Sequence, residues 1–298
     1  MILSENSVSG VRKVKILGSM ERAYASRWTR AVLFAAAFAA APAAAGAEPS
    51  YGHEIPAAVM SQLDRLLPQR PGVVDLYAVI VGADGEEDVF RKEVIAVRKV
   101  LDDGFDTRGR SITLINHRSS PQPEATLNSL AYVLKRVADK MDRDEDVLLL
   151  HLTTHGGSNH VLVFRHGQTE LYGLNPPYLR KILADARIRY RVLVVSACYA
   201  GGFVAPLADA RTLVITAASS SRQSYGCGND SEITEFSRAY YLHALSRTRS
   251  LSEAARMAQQ TITQEERESK RVHSHPQIQM GSDIEDQLKR LERRLSVR

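Results

Sequence analysis

The chain has 298 residues, of which 44% are hydrophobic and 24% are charged, and these values are ordinary for a globular protein with a sizeable core. Its net charge of +5 comes almost entirely from the first 47 residues, which hold six basic and two acidic side chains and leave 33 basic and 32 acidic ones elsewhere. A nearly neutral body argues against a surface that follows phosphates, so we expect no nucleic-acid partner.

Residues 1–47 have the layout of a secretory signal peptide or N-terminal leader. Three arginines precede an apolar run over residues 31–41, and small residues follow it up to Ala47. This order of charge, apolar run and small residues is typical of a cleaved signal. The run is short for a membrane span and is followed by Pro42, so no stable span is expected after signal removal. We predict an exported protein, periplasmic or secreted; the alternative is a membrane anchor formed by an uncleaved N-terminal segment.

The rest of the chain divides into three parts. Residues 48–72 predict a linker with a short helix, because a stretch with helical apolar spacing (57–67) lies between two prolines. Residues 73–281 alternate apolar runs with amphipathic stretches and predict the functional domain. Residues 282–298 predict a basic amphipathic helix, which is expected to pack on the domain or on a partner rather than on a membrane.

Within the domain, apolar runs and amphipathic stretches alternate. Five apolar runs predict buried strands, at residues 76–82, 111–116, 146–152, 191–196 and 212–217. Helical spacing predicts helices at residues 94–101, 123–140, 177–186, 233–245 and 252–263. Residues 161–172 predict a small hairpin that turns at His166 and Gly167. This alternation predicts an α/β protein, a three-layer αβα sandwich with a mostly parallel sheet and right-handed crossovers.

One imidazole and one thiol follow neighbouring strands of this predicted sheet. His155 comes directly after the third strand, and Cys198 comes directly after the fourth. Parallel sheets bind ligands at the carboxyl ends of their strands, so both side chains are expected at one edge. A thiol beside an imidazole can form a thiolate nucleophile with an acid/base partner. Glycine pairs follow both residues and permit close backbone approach there.

Other chemistries receive less support from the sequence. The chain has two cysteines, Cys198 and Cys227, which in an exported protein are either one disulfide or a working thiol and a second, incidental one. His151 and His155 are four residues apart but lie across a strand end, without the acidic residue of a zinc helix. We therefore expect no metal and no cofactor. A serine-hydrolase elbow and glycine-rich nucleotide loops are absent from the sequence.

The two strand ends resemble those of a known family. His155-Gly156 after an apolar strand, followed by Ala197-Cys198 after the next core strand, is similar to the legumain family of cysteine peptidases. That family shares its fold with caspases and includes the catalytic subunit of the GPI transamidase. The resemblance covers roughly residues 73–245 and implies a caspase-like sheet. It also implies His155 as general acid/base, Cys198 as nucleophile, and the backbone amides of Gly156 and Cys198 as the oxyanion hole.

The resemblance also implies a substrate pocket. The residues that match pocket positions of the family, or that replace its pocket carboxylate next to the nucleophile, are Arg91, Ser196, Ser224, Tyr225 and Glu235. Legumains have Glu-Ala-Cys where this chain has Ser196-Ala197-Cys198, so strict asparaginyl specificity is not expected. The asparagine that is sometimes counted as a third catalytic residue falls at Val89, which leaves a His–Cys dyad.

These observations predict an exported cysteine endopeptidase that hydrolyses peptide or protein substrates through an acyl-enzyme thioester. Two alternatives remain open from the sequence. The same dyad could serve a transpeptidase or ligase, in which an amine replaces water. A pseudo-peptidase that binds peptides without cleaving them is the non-enzymatic alternative. The sequence does not predict an oligomeric state.

Overall fold

The structure is a computed structural model that describes residues 54–296, which belong to one compact unit. The leader predicted over residues 1–47 lies outside the described residues. Within the described part of the chain, no helix combines the length and the apolarity that crossing a bilayer requires.

Within residues 54–296, eight strands form one large sheet and one small hairpin. The strands are β1 (Leu76–Gly82), β2 (Ser111–Ile115), β3 (Val147–Thr153), β4 (Arg165–His166), β5 (Thr169–Glu170), β6 (Tyr190–Ser196), β7 (Thr212–Thr216) and β8 (Gln277–Met280). Six of them form a sheet in the order β2-β1-β3-β6-β7-β8, in which only β8 is antiparallel to its neighbour. Strands β4 and β5 form the separate hairpin at the predicted position.

Helices cover both faces of the large sheet. They are α1 (Ala57–Asp64), α2 (Asp88–Gly104), α3 (Leu127–Ala138), α4 (Pro176–Ala186), α5 (Val204–Leu207), α6 (Glu235–Ser237), α7 (Leu251–Glu268) and α8 (Ser282–Ser296). A 3₁₀ turn over Ala200–Phe203 leads into α5, and α6 continues as a π-helix over Arg238–Ala244. Helices α1, α3 and α4 pack on one face, and α2, α6, α7 and α8 pack on the other. The predicted three-layer αβα sandwich with a mostly parallel sheet is confirmed.

The layers follow from the apolar runs of the central strands. All seven residues of β1 and of β3 are buried, as expected for strands covered on both faces. Alternate residues point to opposite sides: Tyr77, Val79 and Val81 join the core under α1, α3 and α4, whereas Leu76 and Ile80 join the core under α2 and α7. Each central strand therefore contributes side chains to both hydrophobic cores, one on each face of the sheet.

Several element ends differ from the predictions for local reasons. Helix α3 begins at Leu127 rather than at residue 123, because the Thr126 side chain accepts the Ser129 N–H and caps the helix there. Helix α2 begins at Asp88, before the predicted start at residue 94. Strand β8 was not predicted, because its four residues include two glutamines and its pairing with β7 spans a long stretch of chain.

The apolar residues predicted at helical spacing in the C-terminal segment lie in α8. Ile284, Leu288 and Leu291 are almost completely buried in the core that α2 and α7 share. Gln287 of the same helix donates a hydrogen bond to the carbonyl oxygen of Glu145, just before β3. Helix α8 thus packs on the sandwich through its apolar face.

Candidate active site

The ends of β3 and β6 bring His155 and Cys198 to the same edge of the sheet. Thr153 and Ser196, the last residues of these parallel strands, are paired in register, and each reactive residue comes two positions later. The Thr154 N–H donates to the carbonyl oxygen of Ser196 at 3.3 Å, so the two chains remain side by side beyond the strands. The expected convergence follows from parallel pairing alone.

Glycine permits the tight contact between the two loops. A Cβ atom at Gly156 would overlap the carbonyl oxygen of Cys198 and would lie 3.2 Å from its carbonyl carbon. A Cβ at Gly202, after the nucleophile, would collide with the ring of His160, which donates to the carbonyl oxygen of Tyr199 at 3.2 Å. The absence of side chains at these positions therefore lets the loop after β3 hold the turn after β6.

The sulfur of Cys198 lies in a polar environment made by the loop after β7. The Ser224 N–H donates to the sulfur at 3.4 Å, and the carbonyl and hydroxyl oxygens of Ser224 lie 3.6 and 3.8 Å away. Both Cys198 and Cys227 are free and half-buried. A hydrogen bond from the Cys227 thiol, opposed by burial and reinforced by Ser224 and the His155 charge, lowers the pKa of Cys198 to about 6. The same contact raises the pKa of Cys227, so Cys227 is the thiol that keeps its proton.

The imidazole of His155 contacts two residues at the start of α2. Its Nε2 atom lies 4.0 Å from Oε1 of Glu87, and its ring meets the Phe90 ring edge to face, with centroids 5.1 Å apart. About a third of the imidazole is exposed. Neither Glu87 nor Phe90 was predicted as a site residue, although both come soon after the end of β1 and therefore near the carboxyl edge of the sheet. The acidic pair Glu86-Glu87 was the available signal.

Ser196, predicted as a substrate-binding residue, is buried just inside the sheet from Cys198. Its hydroxyl lies 3.0 Å from the Thr234 hydroxyl, and the Ser237 hydroxyl lies 3.3 Å from it. These contacts tie the end of β6 to α6. The structure therefore surrounds Ser196 with protein and does not bring this hydroxyl to the surface.

A fully buried hydrogen-bonded cluster lies beneath this layer. Glu93 of α2 accepts hydrogen bonds from the Thr234 N–H at 3.0 Å, from the Ser237 hydroxyl at 2.7 Å and from Nε2 of His151 at 3.0 Å. The Tyr241 hydroxyl lies 3.1 Å from the other ring nitrogen of His151. Burial opposes ionisation of Glu93, but these hydrogen bonds outweigh it and hold its pKa below the usual range.

Arg91 and Ser224, two of the predicted pocket residues, have different contacts. Arg91 pairs with Asp88 through two hydrogen bonds of 2.6 and 3.2 Å, and this guanidinium holds the pKa of Asp88 below its usual range. About a third of the Arg91 side chain is exposed. Ser224 touches the Cys198 sulfur, as described above. Arg91 is therefore held in place by its own helix and still reaches the surface.

Tyr225 and Glu235 meet at Arg271, a residue that sequence reasoning missed. Arg271 donates two hydrogen bonds to the Glu235 carboxylate, at 2.7 and 2.8 Å, and lies over the Tyr225 ring, 4.4 Å from its centre. The Tyr225 hydroxyl donates to the carbonyl oxygen of Val272 at 2.7 Å. The segment between α7 and β8 therefore fixes the loop that carries Ser224. Sequence alone gave no signal for Arg271, because its partners lie far away along the chain.

The two histidines at metal-like spacing have different surroundings. His151 is completely buried against Glu93, whereas about a third of the His155 side chain is exposed. Within residues 54–296, no three histidine, cysteine or acidic side chains are grouped so that they could hold a metal ion.

A thiol with a lowered pKa and an imidazole, both at the carboxyl edge of a mostly parallel αβα sheet, are the groups that cysteine peptidases use. The sequence model of the Peptidase C13 family matches residues 128–289, more than half of the chain. The chain therefore belongs to the Peptidase C13 family, a family of cysteine peptidases. This membership confirms the predicted resemblance to legumains.

Comparison with solved structures finds caspases. Caspase-1 from Spodoptera frugiperda has 14% sequence identity and a TM-score of 0.48, with 72% of this chain and 93% of that chain covered. The structure described as pro-sf-caspase-1 has 13% identity and a TM-score of 0.46, with 70% and 91% covered. Similarity at this level carries no argument about function. No curated protein sequence matches the chain significantly.

Proposed function

We propose that this chain is an exported cysteine endopeptidase that hydrolyses peptide bonds through Cys198 and His155. The observation that carries the proposal is the half-buried sulfur of Cys198, whose pKa is lowered to about 6, beside an imidazole at the same sheet edge. A thiol with such a pKa is mostly thiolate at neutral pH, and the thiolate is the nucleophilic form.

The proposed reaction uses these two groups in two stages. The thiolate of Cys198 attacks the scissile carbonyl carbon, and the carbonyl oxygen takes up negative charge. Backbone N–H groups of Gly156 and Cys198 donate to this oxyanion. Protonated His155 transfers its proton to the leaving amine, which departs and leaves a thioester on Cys198. Water, deprotonated by His155, then attacks the thioester and releases the carboxylic acid and the thiolate.

Substrate selection is proposed for the groove beside the sulfur. Ser224 and Tyr225 lie on the loop that contacts Cys198, and Arg91 reaches the surface at the start of α2. Glu235 contributes through its ion pair with Arg271, which shapes the loop. The buried Ser196 contributes by holding the end of β6 against α6 rather than by touching substrate. The proposed substrates are peptides and proteins, without strict preference for asparagine.

The test is hydrolysis of a diverse peptide library under reducing conditions, with cleavage products read by mass spectrometry. Cys198→Ala and His155→Ala are expected to remove turnover at every site, while their melting temperatures stay near that of the unaltered protein. His243→Ala, which removes an exposed histidine of the π-helix, is the matched control and should keep full turnover.

Three outcomes would contradict the proposal. Full hydrolysis by Cys198→Ala would show that the sulfur is not the nucleophile. Peptide binding without cleavage by the unaltered protein would make the chain a binding protein. Products joined through new peptide bonds, rather than hydrolysed, would identify the transpeptidase alternative.

A further inference from the structure

Glu87 has a carboxylate at the active-site edge without a strong partner of its own. Glu87 is the residue that precedes α2. Its Oε1 atom lies 4.0 Å from Nε2 of His155. Its other oxygen, Oε2, is a buried atom that lacks a hydrogen-bond partner. A buried, unpaired carboxylate oxygen costs free energy, so its persistence calls for an explanation.

Two of the carboxylates near Glu87, those of Asp84 and Asp88, have other partners. Asp88, the following residue, pairs with Arg91, and its backbone N–H donates to the side-chain oxygen of Asn229 at 2.9 Å. The Asp84 side chain accepts from the backbone N–H of Glu86 at 2.9 Å. The ion pair described for His155 is with Glu87, so Glu87 is the carboxylate at the start of α2 that approaches the imidazole.

Phe90 restrains the imidazole from a second direction. It lies one helical turn after Glu87 and is fully buried, and its ring is nearly perpendicular to the His155 ring, at 87°. A buried aromatic ring limits how the imidazole can rotate, so the side of the ring that carries Nε2 faces the carboxylate. The other nitrogen, Nδ1, is then the one available for proton exchange in the groove.

We propose that Glu87 is a positioning residue for His155: its carboxylate accepts a hydrogen bond from Nε2–H and so directs Nδ1 toward the reacting groups. The proposal rests on the proposed peptidase function. The hydrogen bond closes from 4.0 Å when substrate fills the groove, since catalytic contacts in unliganded sites are commonly long. A carboxylate in this place fixes the imidazole tautomer and stabilises the imidazolium that forms during the reaction.

The kinetic test compares Glu87→Ala with Glu86→Ala, which removes the same group from the preceding residue. Glu87→Ala is expected to lower kcat about 10- to 100-fold and to leave KM within about twofold, because the imidazole and not substrate binding is affected. Glu86→Ala should match the unaltered protein. Glu87→Gln keeps an acceptor oxygen and should recover part of the loss, and added formate should partly restore Glu87→Ala. An unchanged kcat, or a rise in KM alone, would overturn the proposal.

A second measurement does not depend on turnover. In Cys198→Ala protein with ¹⁵N-labelled histidine, two-bond ¹H–¹⁵N spectra at pH 8 should show His155 as the Nε2–H tautomer alone. Adding Glu87→Ala should produce a mixture of tautomers, whereas adding Glu86→Ala should not. Identical His155 signals with and without the Glu87 carboxylate would refute the positioning role, even if the peptidase function stands. If Glu87→Ala changes the tautomer as expected but the unaltered protein hydrolyses no peptide, only the peptidase function is refuted.

Discussion

Replacing Gly156 with alanine tests how closely the two catalytic loops must approach each other. The new Cβ would overlap the carbonyl oxygen of Cys198, and relieving that overlap requires a separation of about 1 Å between the loops. The obstacle is backbone rather than a flexible side chain, so the loops themselves must move. A displacement of about 1 Å in a reacting group costs on the order of 10²-fold in rate. We therefore expect kcat/KM to fall about 100-fold in Gly156→Ala.

The assay is hydrolysis of a peptide cleaved by the unaltered protein, together with thermal unfolding. Gly157→Ala is the matched control: its Cβ would meet the end of the Asn159 side chain, which can rotate away, so activity should change by less than about fivefold. Both variants should unfold cooperatively, because neither position lies in the hydrophobic cores. If Gly156→Ala keeps kcat/KM within twofold of the unaltered protein, the close packing of the loops is not required for catalysis.

Two further predictions concern the Cys198 thiol and the buried cluster around Glu93. Alkylation of Cys198 by iodoacetamide should be half-maximal near pH 6, its thiolate pKa, and Cys227→Ala should move this midpoint to higher pH because it removes the donor that stabilises the thiolate; an unchanged midpoint would contradict that role. Glu93→Ala should lower the free energy of unfolding in urea by about 3 kcal/mol or more, because it leaves the buried donors of His151, Thr234 and Ser237 without their acceptor, whereas Glu232→Ala, in an exposed pair, should have a much smaller effect; equal losses would refute the argument from burial.

The fold could be predicted in large part because apolar runs report burial directly. A strand covered on both faces must be apolar at every position, and the segments that became β1 and β3 have that pattern apart from His151 and Thr153. Strand β8 was not predicted, because an edge strand with two glutamines lacks a continuous apolar run. The start of α3 at Leu127 depends on one side-chain cap at Thr126, which helix propensity alone does not resolve.

The candidate site divides in the same way. That His155 and Cys198 share an edge follows from the order of elements, since parallel strands end on the same side of a sheet. The surroundings of each group do not follow from order. The Ser196 side chain is buried in the protein and contacts Thr234. Arg271, from the segment after α7, contacts Glu235 and Tyr225.

By itself, the sequence determined the alternation of strands and helices, the edge that carries the reactive residues and the chemistry that those two residues can perform. Only the tertiary structure decided which groups touch them: Glu87 and Phe90 at the imidazole, and Ser224 and Cys227 at the sulfur. The physical reason is range. Periodicity and strand order are local properties of a chain, whereas a hydrogen bond between distant segments depends on how whole helices and loops pack against the sheet.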